Sequence, residues 1–122
     1  MTAARSGIWI LLVDGEATVQ HLRALMLRMK GYHVDIATSL EQARARIDKR
    51  FYKLVIVDVG HYADPGVEFC EEIKRKNSHQ KLLIHAEDRV FPLKSDCPDD
   101  VVPKQEGPLT FINAVERCLN AA

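Results

Sequence analysis

Two short, uninterrupted apolar runs constrain this chain most: Ile8-Trp-Ile-Leu-Leu-Val13 and Leu54-Val-Ile-Val57. A strand that is apolar at every position has to be buried on both faces, as in the middle of a parallel sheet. Longer amphipathic stretches alternate with such runs. Thr18 to Lys30 carries Val19, Leu22, Leu25, Met26 and Met29 at helical spacing, and Gly31 is placed to end that helix. Tyr32 to Ala37 alternates weakly and reads as a second strand nearer an edge. Ser39, with Gln42 three residues on, signals a capped helix whose inner face is Leu40, Ala43 and Ile47.

The second half repeats the pattern. After Leu54–Val57 and a loop from Val59 to Ala63, Asp64-Pro65 opens a helix with a capping side chain and Pro at its first position. Val67, Cys70 and Ile73 form its expected inner side. Lys81 to Ile84 and Asp100 to Val102 are the fourth and fifth strands. Pro108 to Leu119 is the last helix, with Leu109, Ile112, Val115 and Leu119 inward. The stretch from Ala86 to Asp99 holds Pro92 and Pro98. An interior Pro removes a donor and clashes with the preceding turn, so a loop or at most one helical turn is expected there.

Strands that alternate with helices make an α/β domain, a parallel sheet with helices on both faces. The 122 residues suffice for one such domain: residues 1–7 as a disordered lead-in and 8–122 as the folded unit. Lys plus Arg equals Asp plus Glu at 17 each, so no global charge draws the chain to nucleic acid or an anionic membrane. Cys70, Cys97 and Cys118 are odd in number and widely spaced, which argues for a reducing cytoplasm rather than a disulfide framework. With His61, His79 and His85 they offer no tight metal-ligand spacing. No run approaches the roughly 20 apolar residues of a membrane helix.

In parallel α/β sheets, chemistry gathers outside the carboxyl ends of the strands. The residues at those ends are Asp14, Asp58, His85 and Lys104. A carboxylate there can attack a phosphoryl group or ligate a hard cation, and a lysine can neutralise the transferred group. An Asp after a strand is also a common turn former. Four such groups on one rim favour function.

The order and spacing of these pieces resemble the receiver domain of two-component response regulators, over roughly Ile10 to Leu119. Leu11-Leu-Val-Asp-Gly-Glu16 looks like that family's acidic opening. Gly31-Tyr-His-Val34 with Ala37 is similar to its second-strand entry. Leu54-Val-Ile-Val-Asp58 matches its phospho-acceptor strand, and Gly66, Ala86 and Lys104 stand at familiar positions. The resemblance implies a flavodoxin-like (CheY-like) doubly wound sheet of five strands in the order 2-1-3-4-5, with the fourth helix shortened or missing.

It also implies a signalling module rather than an enzyme. Asp58 would accept a phosphoryl group from a histidine kinase or phosphotransfer protein. Lys104 would contact that group. Mg²⁺ would be held by Asp14, Asp58 and the backbone carbonyl of Gly60, with Glu16 a further candidate. An output domain or partner protein would read the result, and the last helix offers a homodimer face.

Departures from the family pattern fall on this site. Gly15 stands where a second acid ligates the metal, which implies a weakened Mg²⁺ site. His85 replaces the switch Ser/Thr, Val101 the switch aromatic, Gln105 the proline after the lysine, and Tyr62 the loop proline. The alternative is a phosphorylation-independent pseudo-receiver that docks a protein. A flavodoxin-like cofactor binder needs a better phosphate cradle than Gly15-Glu-Ala-Thr18.

Overall fold

The computed structural model describes residues 7–60, 63–86 and 99–120. Five parallel strands, β1 (Trp9–Val13), β2 (His33–Ala37), β3 (Leu54–Gly60), β4 (Lys81–Ala86) and β5 (Asp100–Pro103), pair in the order β2-β1-β3-β4-β5. Among the described residues the helices are α1 (Ala17–Met29), α2 (Leu40–Lys49), α3 (Ala63–Lys76) and α4 (Gly107–Asn120), with a 3₁₀ turn at Lys104–Glu106. The flavodoxin-like fold expected from sequence is the fold found. Residues 1–6 of the expected lead-in, Tyr62, and most of the expected loop after β4 (87–98) lie outside the described residues.

The fully apolar strands are the buried ones. Ile10, Leu11, Leu12, Leu54, Val55, Ile56 and Val57 are all 0% exposed. Alternation along each strand splits the core into two layers. Ile10, Leu12, Leu54, Ile56 and Leu83 pack under Ala24 and Leu27 of α1 and Phe111, Ile112, Val115 and Cys118 of α4. Leu11, Val55, Val57, Leu82 and Ile84 pack under Ala43 of α2 and Phe69, Cys70 and Ile73 of α3. Cys70 and Cys118 are buried in the two core layers and pack as small hydrophobes.

Local signals worked as expected at several ends. Gly31 follows α1 with φ of 97°, a left-handed conformation that glycine adopts without cost. Ser39 caps α2 by accepting from the Gln42 N–H at 3.1 Å. Gln42 answers to Thr38, not Ser39: its Oε1 accepts from the Thr38 N–H at 2.9 Å. Gly107 joins the 3₁₀ turn to α4 with φ of 84°. Helix α3 already begins at Ala63, so Asp64 lies inside the helix and Pro65 falls within the first turn, where its missing N–H has no partner to lose.

Two inner faces differ from expectation. On α1, Leu22, Leu25 and Met29 are 58%, 52% and 74% exposed, while Gln20, Arg23, Ala24 and Leu27 face the sheet. On α4, Leu109 is 73% exposed and Phe111 takes the inward place. Of the apolar spacing expected to face inward on α1, Leu22, Leu25 and Met29 point outward instead. The sheet beneath α1 ends in carboxylates, and a buried carboxylate requires a counter-charge that leucine cannot supply.

Candidate functional site

Strand alternation carries Ile10 and Leu12 on to Asp14, Leu54 and Ile56 on to Asp58, and Leu83 on to His85. All three polar groups therefore lie on the α1/α4 side at the carboxyl end of the sheet. Asp58 and His85 are register partners across β3 and β4, and the ladder shifts between Asp58 and Gly60. The bulge ends regular pairing beside the carboxylate. Lys104 follows β5 as the first residue of the 3₁₀ turn. The four strand-end residues expected to share one rim do share it.

Their contacts define an ionic cluster whose two aspartates are buried. Lys104 Nζ lies 2.7 Å from Asp58 Oδ1 and 3.7 Å from Glu16 Oε1. Asp14 Oδ1 accepts from the Glu16 backbone N–H at 2.9 Å. A residue absent from the sequence reading completes the cluster: Arg23, on the inner face of α1. Its Nη1 donates to Asp58 Oδ2 at 2.8 Å and also to Asp14 Oδ2. The Asp14 and Asp58 side chains are 0% and 6% exposed. One guanidinium nitrogen thus bridges the two carboxylates that the resemblance assigns to a metal. Among the described residues, no group of three His, Cys, Asp or Glu is placed to hold a metal ion.

Burial pushes the Asp14 carboxyl above its ordinary range. The Glu16 N–H opposes that shift, the Asp58 charge adds to it, and Arg23 pulls it back. His85 is pushed down to about 4, first by burial and then by the charges of Arg23 and Lys104, with Asp58 opposing. It is therefore neutral at pH 7. Its ring stacks on Phe111 at 5.1 Å between centroids, and its buried Nδ1 has no hydrogen-bond partner among the described residues. Val101, at the position of the switch aromatic, is half-buried against the α2/α3 layer. An apolar groove of about 350 Å³ opens beside the cluster, lined by Val19, Leu22, Met26, Pro108 and Phe111 with Arg23, His85 and Lys104 at its polar end.

The sequence profile of the response regulator receiver domain matches residues 10–114. The chain belongs to that family. Among curated relatives, this receiver is 26% identical over 117 residues to the transcriptional regulatory protein ResD of Bacillus subtilis, covering 93% of this chain and 48% of ResD. It is 32% identical over 82 residues to the transcriptional regulatory protein PmrA of Pectobacterium parmentieri, covering 66% of this chain and 37% of PmrA. The receiver thus spans about half, or less, of the length of these relatives.

Among solved structures it is similar to the response regulator TrrA of Thermotoga maritima in complex with Mg²⁺–BeF. Identity is 27% and the TM-score 0.81, over 92% of this chain and 99% of that one. TrrA in complex with the histidine kinase ThkA matches at 26% identity with a TM-score of 0.81, over 93% and 99% of the two chains.

Against this family background, Arg23 is the residue that sequence spacing missed. A signal existed: it lies in phase with Gln20, Ala24 and Leu27. It became informative only once Asp14 and Asp58 were placed on one face beneath α1.

Proposed function

We propose that this receiver accepts a phosphoryl group on Asp58 from a histidine kinase or phosphotransfer protein and passes the change to an output domain or partner. The observation that carries the reading is the Asp58 carboxylate held between two cations, Lys104 at 2.7 Å and Arg23 at 2.8 Å. A phosphoryl group arriving there brings negative charge into a site where water does not screen it. Preorganised cations are the protein's means of stabilising such charge. An Asp58 oxygen attacks phosphorus, the new P–O bond forms as the donor's P–N bond breaks, and the donor imidazole leaves with a proton. Lys104 meets the phosphoryl oxygens. The chain is then a stoichiometric acceptor rather than an enzyme, and it works in the cytoplasm.

The partner's approach has a physical basis. Leu22, Leu25 and Met29 expose an apolar strip on α1, and the groove between α1 and Pro108 leads from that strip to the ionic cluster. A donor helix that buries its own apolar side on this strip brings its phosphorylated residue to the rim. The structurally similar TrrA was solved with its histidine kinase. A homodimer through α4 has less support, because Phe111, Ile112, Val115, Cys118 and Leu119 are occupied by the core and Leu109 alone of its large hydrophobics is exposed.

The second reading, docking without phosphorylation, draws on Arg23. Its bond to Asp58 Oδ2 occupies the would-be nucleophile, and His85 is stacked on Phe111 where a small hydroxyl would be free to move. Incubation with acetyl phosphate followed by intact-mass measurement separates the two readings. A one-phosphoryl adduct that disappears in Asp58→Asn supports acceptance. No adduct, under conditions that label an ordinary receiver, leaves the docking reading.

A further inference from the structure

We infer that Arg23 takes the place of the divalent cation in this receiver: its guanidinium is the resident counter-ion of Asp14 and Asp58, and the site operates without Mg²⁺. The second half of that statement rests on Asp58 being the acceptor; the first half does not.

A hard divalent ion needs several free oxygens in near-octahedral array. The residues present do not fit that need. Oδ2 of Asp14 and Oδ2 of Asp58 are both hydrogen-bonded to Nη1 of Arg23. Oδ1 of Asp14 accepts from the Glu16 N–H, and Oδ1 of Asp58 lies against Lys104. The Glu16 carboxylate is 63% exposed and turned toward Lys104. Gly15 contributes no side-chain oxygen at all. In formal charge, the two buried carboxylates of Asp14 and Asp58 already face the two cations Arg23 and Lys104, and the remaining anion, Glu16, is exposed and turned to Lys104, so a further 2+ ion would find no buried carboxylate without a counter-charge.

Gly15 and Arg23 act in the same direction. Gly15 supplies no anion and Arg23 supplies a cation. The backbone does not demand glycine at position 15. A Cβ there would have Thr38 O as its nearest neighbour at 3.8 Å, an ordinary contact, and Gly15 is not among the positive-φ glycines. The absent acid at position 15 is therefore not imposed by the backbone, and the cation at position 23 meets the two carboxylates that remain. Arginine suits the role because it cannot lose its proton and its Nη1 carries two N–H donors, one for each carboxylate. The competing account is that Arg23 merely pins α1 to β1 and β3. Removing it would then weaken the fold without opening a metal site.

The test is Mn²⁺ and Mg²⁺ titration of the full chain, read by amide shifts and paramagnetic broadening at residues 14 and 58. The expected wild-type result is no saturable binding at millimolar Mg²⁺. Arg23→Gln, which keeps the chain length and removes the charge, is expected to bind Mn²⁺ at least about tenfold more tightly than wild type. Arg23→Gln with Gly15→Asp is expected to bind more tightly again. Saturable, submillimolar binding by wild type overturns the inference. So does an Arg23→Gln affinity equal to wild type when the double variant binds well, since Gly15 alone would then account for the loss.

If Arg23→Gln does not fold, wild type decides by itself, through the same titration and through acetyl-phosphate labelling in EDTA and in Mg²⁺. Labelling at similar rates in both supports the inference, and labelling only with Mg²⁺ overturns it. No labelling in either counts against Asp58 as acceptor, and the titration still judges Arg23.

Discussion

Asp58 and Asp35 each face an arginine, on neighbouring parts of one sheet. At the carboxyl end, Arg23 is 10% exposed and its partners Asp14 and Asp58 are 0% and 6% exposed. At the outer edge, on β2, Asp35 accepts from Tyr52 Oη at 2.6 Å and lies 3.6 Å from Arg50, with side chains 26% and 45% exposed for Asp35 and Arg50. Arg50 also lies over the Trp9 ring at 3.7 Å, and Trp9 stacks on His33 at 4.6 Å. Both clusters tie a loop or helix to the sheet. Water screens the outer pair and releases either partner cheaply, whereas the buried carboxylates of the inner group have little solvent to fall back on. The edge cluster is a stabilising decoration. The inner cluster joins α1 to the carboxyl ends of β1 and β3 through buried charges.

That contrast breaks most sharply at Arg23. Arg23→Ala leaves two carboxylates buried without their shared partner, and the expected cost is about 3–5 kcal/mol in urea unfolding at neutral pH. A loss no larger than that of Arg50→Ala would erase the distinction between the two clusters.

The next effect is on pH. His85 has a folded value of about 4 against an ordinary 6.5, because burial and the nearby Arg23 and Lys104 charges disfavour its cation while Asp58 opposes them. The unfolded chain therefore takes up a proton that the folded one refuses. Stability from this group is complete above pH 6.5 and falls as pH drops toward 4, by roughly 3 kcal/mol in full. The check is unfolding free energy against pH for wild type and His85→Thr. The acid-side slope between those limits should be shallower in the variant.

Smaller effects belong to the edge. Tyr52→Phe removes a donor to Asp35 while Arg50 remains, and about 1–2 kcal/mol is expected by chemical denaturation. Arg50→Ala loses a half-exposed ion pair and a contact with Trp9, expected at about 0.5–1 kcal/mol. The Arg50 effect should shrink in high salt. That of Arg23, screened little by solvent, should largely persist.

Much of this domain was legible from local pattern. The apolar runs identified β1 and β3 because two-sided burial leaves no polar position. Gly31 and Ser39 marked helix ends because the backbone needs a left-handed residue at one and a side-chain acceptor at the other. Asp58 was legible at the rim because it follows the last apolar residue of the run, although β3 itself continues past the expected end at Val57 to Gly60. The inner face of α1 was misread, since Leu22, Leu25 and Met29 make the more apolar stripe and Gln20 and Arg23 look like a solvent face. Leu109 misled for the same reason on α4. Periodicity reports that a helix has an apolar side, but it does not report whether that side meets a core or a partner.

The chain's own sequence determined the alternation of strands and helices, the parallel sheet that follows from it, and the four strand-end groups Asp14, Asp58, His85 and Lys104. These depend on spacing along the backbone. Tertiary structure alone decided that Arg23, nine residues from Asp14 and thirty-five from Asp58, puts one nitrogen between them. Such a bridge depends on the rotation of α1 about its axis. That rotation turns Ala24 and Leu27 into the core and Arg23 onto two buried carboxylates, long-range contacts that no local pattern encodes.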